Sequence, residues 1–318
     1  MPDQQNRGVG PGSKLGSPAP ISVTTVDYHG WAGSYLISNG RVEAVVVPSI
    51  GRVMQFRLAG EDQGVFWVNR LLDGKLPDAA SSEWGNFGGD KSWPAPQGDW
   101  EKVTGREWPP PGSFDASRVD AVAGRDEITL KTMVDPGYGI QIVRRIKLAP
   151  ALPMMTIRTG YHKLIGDPIT VAVWVITQLP EPQRVFALLP RESQLADAFH
   201  QLAGPAPKEL KIDGRLLSLA RDPRDFSKIG TRGSSLLWMD NDYVLRIDAS
   251  HAAGDHPNDD SRTEVYTNPD PLAYVELETV GPLRTLSVGD RIESTNTYTL
   301  ARRSTQIEVA EARKAFAL

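Results

Sequence analysis

Short runs of β-branched and apolar residues, each closed by turn-forming residues, recur along almost the whole chain and leave little room for helices. Candidate strands are 21–26, 35–38, 42–47, 53–58, 65–68, 128–134, 140–148, 155–162, 169–178, 184–189, 235–239, 243–249, 274–278 and 295–300. Between them stand Ser38-Asn39-Gly40, Asp135-Pro136-Gly137 and Ile212-Asp213-Gly214. Asn-Gly and Asp-Gly tolerate the positive φ of tight hairpin turns. Many short strands with turns between them predict an all-β fold, a large antiparallel β-sandwich with few short helices. The 318 residues would allow two domains, but sandwiches of ~200–250 residues commonly form one. A single sandwich domain is therefore expected over 21–302. The Gly/Pro/Ser-rich start, residues 1–20, reads as a disordered lead-in, either natural or standing in place of a native leader. Residues 303–318 read as a helical tail opened by a capping box, Thr305-Gln306-Ile307-Glu308.

Within the strands the pattern separates two environments. In Ile140-Gln141-Ile142-Val143-Arg144-Arg145-Ile146-Lys147-Leu148 the apolar residues fall mostly on one face, so the other face is expected to meet water. Residues 169–176 are apolar nearly throughout, which suits burial on both faces.

Charge and composition exclude several functions. The net charge is −4 and Lys and Arg form no cluster, so the electrostatic footprint of nucleic-acid binding is absent. Without cysteine the chain has no disulfides, thiol nucleophiles or thiolate metal sites. No apolar run reaches the ~18 residues of a membrane helix, and Met1–Gln5 lacks the apolar core of a secretion signal. Cytoplasmic location, or export with a leader removed, both fit. There is no Gly-x-Ser-x-Gly elbow, P-loop or dinucleotide fingerprint, and no cofactor is expected. His251 and His256 share a loop with Asp255, Asn258, Asp259 and Asp260. Lacking zinc-type spacing, that loop is read as solvated, with no metal.

The densest unusual chemistry lies between Trp84 and Trp108, which hold four of the eight tryptophans with Trp93 and Trp100. The stretch Trp84-Gly85-Asn86-Phe87-Gly88-Gly89-Asp90-Lys91-Ser92-Trp93-Pro94-Ala95-Pro96-Gln97 has neither strand nor helix periodicity and is expected to be a long functional loop. Sugar rings present apolar C–H faces ringed by hydroxyls. Indole faces such as Trp93 suit the first, and Asn86, Asp90, Lys91 and Gln97 suit the second. Gly88-Gly89 would let the backbone turn and approach a ligand. The alternative is that the indoles plug one end of the sandwich. A second constellation covers Thr263–Leu283. On the 274–278 strand Tyr274, Glu276 and Glu278 share one face, and Val275 and Leu277 the other. Paired carboxylates beside an aromatic suit sugar binding or proton transfer; the alternative is a solvent-facing polar strand face.

These motifs resemble a bacterial family of uncharacterised proteins, DUF4380, related to the galactose mutarotase-like superfamily. The resemblance is carried by Pro48-Ser49-Ile50-Gly51-Arg52-Val53-Met54, by Gly88 to Gln97, and by Tyr274-Val275-Glu276-Leu277-Glu278-Thr279-Val280-Gly281-Pro282-Leu283. It implies a "supersandwich" that binds carbohydrate on one sheet, with Arg52, Trp174 and Glu264 joining the substrate-binding residues. It also implies Glu278, in Leu277-Glu278, as a general base on an anomeric hydroxyl. The family's general acid is a histidine on a central strand. The strand holding that place, Val171-Ala172-Val173-Trp174-Val175-Ile176-Thr177-Gln178, has none, so the donor would come from His162, His251 or Lys91. Three readings stay open. One is a carbohydrate-binding protein. Another is an epimerase-like or lyase-like enzyme, in which Lys91, Arg52 or Arg232 would neutralise a uronate. The third is a non-catalytic module whose aromatics meet another protein.

Overall fold

A computed structural model describes residues 20–77, 84–191, 198–207 and 209–318. Two antiparallel sheets pack face to face. The first runs, in spatial order, Ser22–Tyr28, Trp31–Ser38, Val42–Val47, Arg52–Leu58, Asp90–Ala95, Ile169–Pro180, Tyr274–Val280, Thr263–Thr267, Ser227–Thr231 and His200–Ala203, with Arg284–Leu286 pairing onto Ile169–Pro180. The second runs Lys211–Asp213, Leu216–Leu219, Arg184–Leu188, Ser235–Met239, Tyr243–Ala249, Arg291–Arg302, Met154–Lys163, Ile140–Leu148, Glu127–Lys131 and Asp120–Ala123. The β-sandwich read from the sequence is the fold. Among the described residues no helix is long and apolar enough to cross a membrane.

Alternation builds the core. Ile140, Ile142, Ile146 and Leu148 turn inward while Lys147 meets water. Opposite them Val46, Val53, Phe56, Leu277 and Val275 supply the first sheet's half of the interior. Arg144 shares the inward face with these isoleucines and is buried with them. Its guanidinium bonds the carboxylate of Asp90 from the facing sheet, which also accepts from Thr177 (2.7 Å) and Tyr298 (2.6 Å). A charge between two sheets is tolerable only when paired and hydrogen-bonded in this way.

The strand Asp90–Ala95 corrects the loop expected there. All six of its residues are buried, so no alternation of burial marks it in the sequence. It pairs along Ile169–Pro180 but meets Arg52–Leu58 only at Val53↔Asp90. Past that point one edge is free of a partner strand, which tolerates a proline at 94. The run 65–68 is the converse case, an expected strand that forms only a single bridge, Val68↔Gly88. The C-terminal helix spans Glu308–Ala315 and buries Ala312 and Phe316 against Phe186, Leu237 and Met239 of the second sheet. Thr305 does not open the helix. Instead Glu311 accepts from the backbone N–H of Ser304 and Thr305. The lead-in expected over 1–20 lies outside the described residues apart from Pro20.

Candidate functional site

The outer face of the first sheet, turned away from the second, carries most of the singled-out residues. Period-two alternation decides which. Asp90 and Ser92 point between the sheets, where Ser92 Oγ lies 2.7 Å from Tyr161 Oη. Lys91 and Trp93 therefore point outward. In the neighbouring strands the register sets Trp174 beside Trp93, and Ile176 between Lys91 and Glu278. Glu264 stands directly across from Glu278, and Gln178 across from Glu276. The Trp-rich segment and the carboxylate strand, far apart in sequence, thus meet on one face. Asp90 does not join them, because adjacent strand residues cannot share a face.

This convergence is closed rather than open. Trp93 sits at the hub of an indole cluster, its ring centroid 5.4 Å from Trp174, 5.5 Å from Trp100, 5.8 Å from Trp84 and 5.9 Å from Trp108. Trp93, Trp100 and Trp174 are buried, while Trp108 is exposed. Lys91 Nζ lies 4.8 Å over the Trp93 ring and 3.3 Å from Glu276 Oε1. Lys228, on the strand Ser227–Thr231, reaches Glu264 Oε2 at 2.7 Å and Glu278 Oε2 at 2.9 Å, with its ammonium 4.4 Å over the Trp174 ring. Trp174 donates its indole N–H to Glu278 Oε2 at 2.7 Å. Two ammonium groups thus face three carboxylates, Glu264, Glu276 and Glu278, two of them cross-strand neighbours. Burial pushes the Glu278 carboxyl up to about 8, Lys228 pulls it down, and Glu264 and Glu276 add to the rise. Glu278 Oε1 has no hydrogen-bond partner. Burial lowers the Lys91 ammonium, against the pull of Glu276. At Lys228 burial also disfavours the charge, but Glu264 and Glu278 outweigh it and the ammonium is held more firmly.

Open space lies at the other end of the same strand face. A cavity of about 1000 Å³ is walled by Trp84, Asn86, Asp115 and Tyr274, with Asn268 and Leu272 beyond. Tyr274 precedes Glu278 by four residues, about 13 Å along an extended strand. Asp115 organises the wall. Its Oδ1 accepts from Arg52 at 2.7 Å and Trp93 Nε1 at 2.9 Å, and its Oδ2 from Trp84 Nε1 at 2.8 Å. Arg52, fully buried, also donates to the Gly88 carbonyl at 2.7 Å. Asn86 is 6% exposed, and neither amide atom has a partner at hydrogen-bonding geometry, although the Tyr274 hydroxyl lies near enough to feel it. A buried, unpartnered amide costs about 1–3 kcal/mol. Asn86 lines the cavity, but its two amide atoms are themselves sealed from solvent and lie near the Tyr274 hydroxyl.

Other singled-out residues lie elsewhere. Gly88 and Gly89 do adopt positive φ, 92° and 73°, but an added Cβ would lie 2.2 Å from the Trp67 carbonyl and 2.6 Å from the Val53 carbonyl, respectively. Their close approach is to backbone, not to the cavity. Gln97 is exposed in the turn Gln97–Asp99. His251 is exposed and contacts Arg262 (3.0 Å). Arg232 pairs with Asp260 at 3.2 Å. His162 follows inward-facing Tyr161 on the second sheet, so the whole sandwich separates it from Glu278. No group of metal-ligating side chains occurs among the described residues. Two residues central to this face were not singled out from sequence, Asp115 and Lys228. Asp115 sits in a Gly/Ser segment after three prolines, and Lys228 in a five-residue strand broken by glycine. Neither has a local signal.

With this geometry in view, known structures can be compared. A galactose mutarotase-like protein from Lactobacillus casei superposes with a TM-score of 0.58 at 10% identity, over 85% of this chain and 100% of that one. The fold is that of the galactose mutarotase-like proteins. A galactose mutarotase related enzyme from Lactobacillus acidophilus gives 0.53 at 10% identity, over 84% and 97% of the two chains. A proposed aldose 1-epimerase from Escherichia coli K12 gives 0.53 at 12% identity, over 85% and 99%. No protein-family model and no curated protein sequence matches the chain. At such identities the likeness speaks for the mutarotase-like fold alone.

Proposed function

We propose that this protein binds a carbohydrate in the cavity walled by Trp84, Asn86, Asp115 and Tyr274. The observation that carries this reading is a cavity of about 1000 Å³ walled by a half-buried indole, Trp84, and by the polar side chains of Asn86, Asp115 and Tyr274. Trp84 offers a flat apolar surface to a sugar's C–H face, and the exposed Lys75, Arg106 and Arg118 on the same cavity offer donors to its hydroxyls. Pockets of this kind, mostly apolar with a few convergent polar groups, are the usual form of small-molecule sites. The mutarotase-like fold adds support, since its neighbours carry sugar-related names. The closer resemblance to the DUF4380 family is part of the same proposal and rests on the motifs around Arg52, Lys91 and Glu278.

A thermal-shift screen against monosaccharides, uronates and sugar phosphates tests it. A ligand at ~100 times its dissociation constant raises stability by roughly 2.7 kcal/mol, and Trp84→Ala removes most of that rise. A screen without any shift refutes the reading.

A catalytic reading is favoured by one observation. Glu278 stands where the resemblance implies a general base, and its carboxyl is pushed up to about 8, close to the pH at which a base works well. On this reading Glu278 takes the proton of the anomeric hydroxyl as the bond from the anomeric carbon to the ring oxygen breaks, the Lys228 ammonium gives a proton to that ring oxygen, and both transfers reverse when the ring closes. Polarimetry of freshly dissolved anomers checks it. Wild type speeds interconversion and Glu278→Gln does not; equal rates dismiss Glu278 as the base.

A further inference from the structure

We infer that the cavity selects an anionic sugar, one bearing a carboxylate or a phosphate, whose charge is held at the mouth by Lys75, Arg106 and Arg118. This rests on the carbohydrate reading above and gives it a substrate class. All three cations line the cavity and are exposed. Among the described residues Lys75 and Arg118 pair with no carboxylate, and Arg106 reaches only the Pro110 carbonyl, at 3.3 Å. The cavity's one described acid is Asp115, and its two oxygens are already taken by Arg52, Trp84 and Trp93. A lone surface cation is ordinary. Three lining one cavity with no free carboxylate among the described residues, in a chain of net charge −4, make a local positive field.

The cations also stand on fixed backbone. The Lys75 carbonyl accepts from Trp31 Nε1 at 2.7 Å, the Arg106 carbonyl from Thr104 Oγ1 at 3.2 Å, and next to Arg118 the Val119 N–H donates to Pro48 O at 2.9 Å. Deeper in the cavity polarity changes in kind. Asn86 and Ser49, less exposed than the three cations, are neutral. Neutral groups inside and cations at the rim match a ring whose hydroxyls enter first and whose charged substituent stays near water. Charge-assisted hydrogen bonds to such a substituent are about twice as strong as neutral ones.

Calorimetric titration of the full chain tests this, with D-glucose and D-galactose beside their uronates, their 6-phosphates and inorganic phosphate, at low and at 0.3 M salt. The expected result is about tenfold tighter binding of an anionic sugar than of its neutral parent. That advantage shrinks at high salt and collapses in the exposed-site double variant Lys75→Gln/Arg118→Gln. Uronates binding better than 6-phosphates identify the carboxylate as the charge, and the reverse identifies the phosphate. Neutral sugars binding as tightly as anionic ones overturn the inference but leave the carbohydrate reading intact. Inorganic phosphate binding as tightly as any sugar phosphate, with uronates inert, overturns it in favour of a free-anion site. If no sugar binds, the carbohydrate reading itself fails.

Discussion

Two regions on one sheet face show opposite ways of handling polar groups. Around Glu278 the charges are paired with one another, although Glu278 Oε1 is left without a hydrogen-bond partner. Lys228 spans Glu264 and Glu278, Lys91 meets Glu276, and the indoles of Trp93 and Trp174 close over them. Around Asn86 there is room, and the one acid among the described lining residues, Asp115, is tied into the wall. The first arrangement resembles a structural ion cluster, in which losing one member strands the others. The second resembles a site awaiting a ligand. Buried charge alone therefore does not mark where a ligand goes; polar side chains next to space do.

The largest effect that would separate the two regions is on stability. Lys228→Met leaves Glu264 and Glu278 face to face without their shared cation and is expected to cost about 3–5 kcal/mol, read by urea denaturation, while sugar affinity persists. Loss of affinity with unchanged stability would reverse the assignment of the regions. Asn86→Ala should do the opposite. Removing a buried amide relieves its desolvation cost but leaves a small void, so the two offset to within about 1 kcal/mol, whereas sugar affinity falls on the order of tenfold. A smaller effect concerns pH. The folded-state pKa of Glu278 is raised to about 8 from its ordinary value of 4.5. The native state thus holds a proton that the unfolded chain releases, and this contribution to stability is full below pH 4.5 and lost as pH rises through 8. Glu278→Gln should flatten stability across that window, and an unchanged slope between pH 5 and 8 would remove Glu278 as its source. Smallest of all, His251→Ala should alter neither stability, beyond about 0.5 kcal/mol, nor sugar affinity, because the side chain is exposed and far from both regions in contact terms. A clear loss of activity or affinity would restore His251 as a functional group.

The sandwich was legible because its strands are apolar or β-branched runs closed by turn residues, some alternating, as in Ile140–Leu148, and some apolar nearly throughout, as in Ser235–Met239. The strands Val42–Val47, Ile140–Leu148, Ser235–Met239 and Tyr243–Ala249 have the boundaries read from sequence. Asp90–Ala95 was hidden because its buried positions include Asp, Lys and Pro, residues that local preference keeps out of strands. The same misreading put Asp90 beside Lys91 on one surface. Once the segment is a strand, alternation sends Asp90 to Arg144 and Lys91 to Glu276. The shared face of Tyr274, Glu276 and Glu278 was readable from spacing. What covers it was not, since burial there comes from Trp93, Trp174 and Lys228, brought in by strand pairings that no local pattern encodes. Asp115 illustrates the same limit, for its importance lies entirely in three donors from distant segments.

A crystal structure of the protein soaked with the tightest-binding sugar would test the central claim most directly. The account predicts a ring lying against the Trp84 indole, with a hydroxyl within hydrogen-bonding distance of the Asn86 amide and the Lys228–Glu264–Glu278 cluster undisturbed. A sugar found beneath Trp174, in contact with Glu278 and with Lys228 displaced, would contradict it.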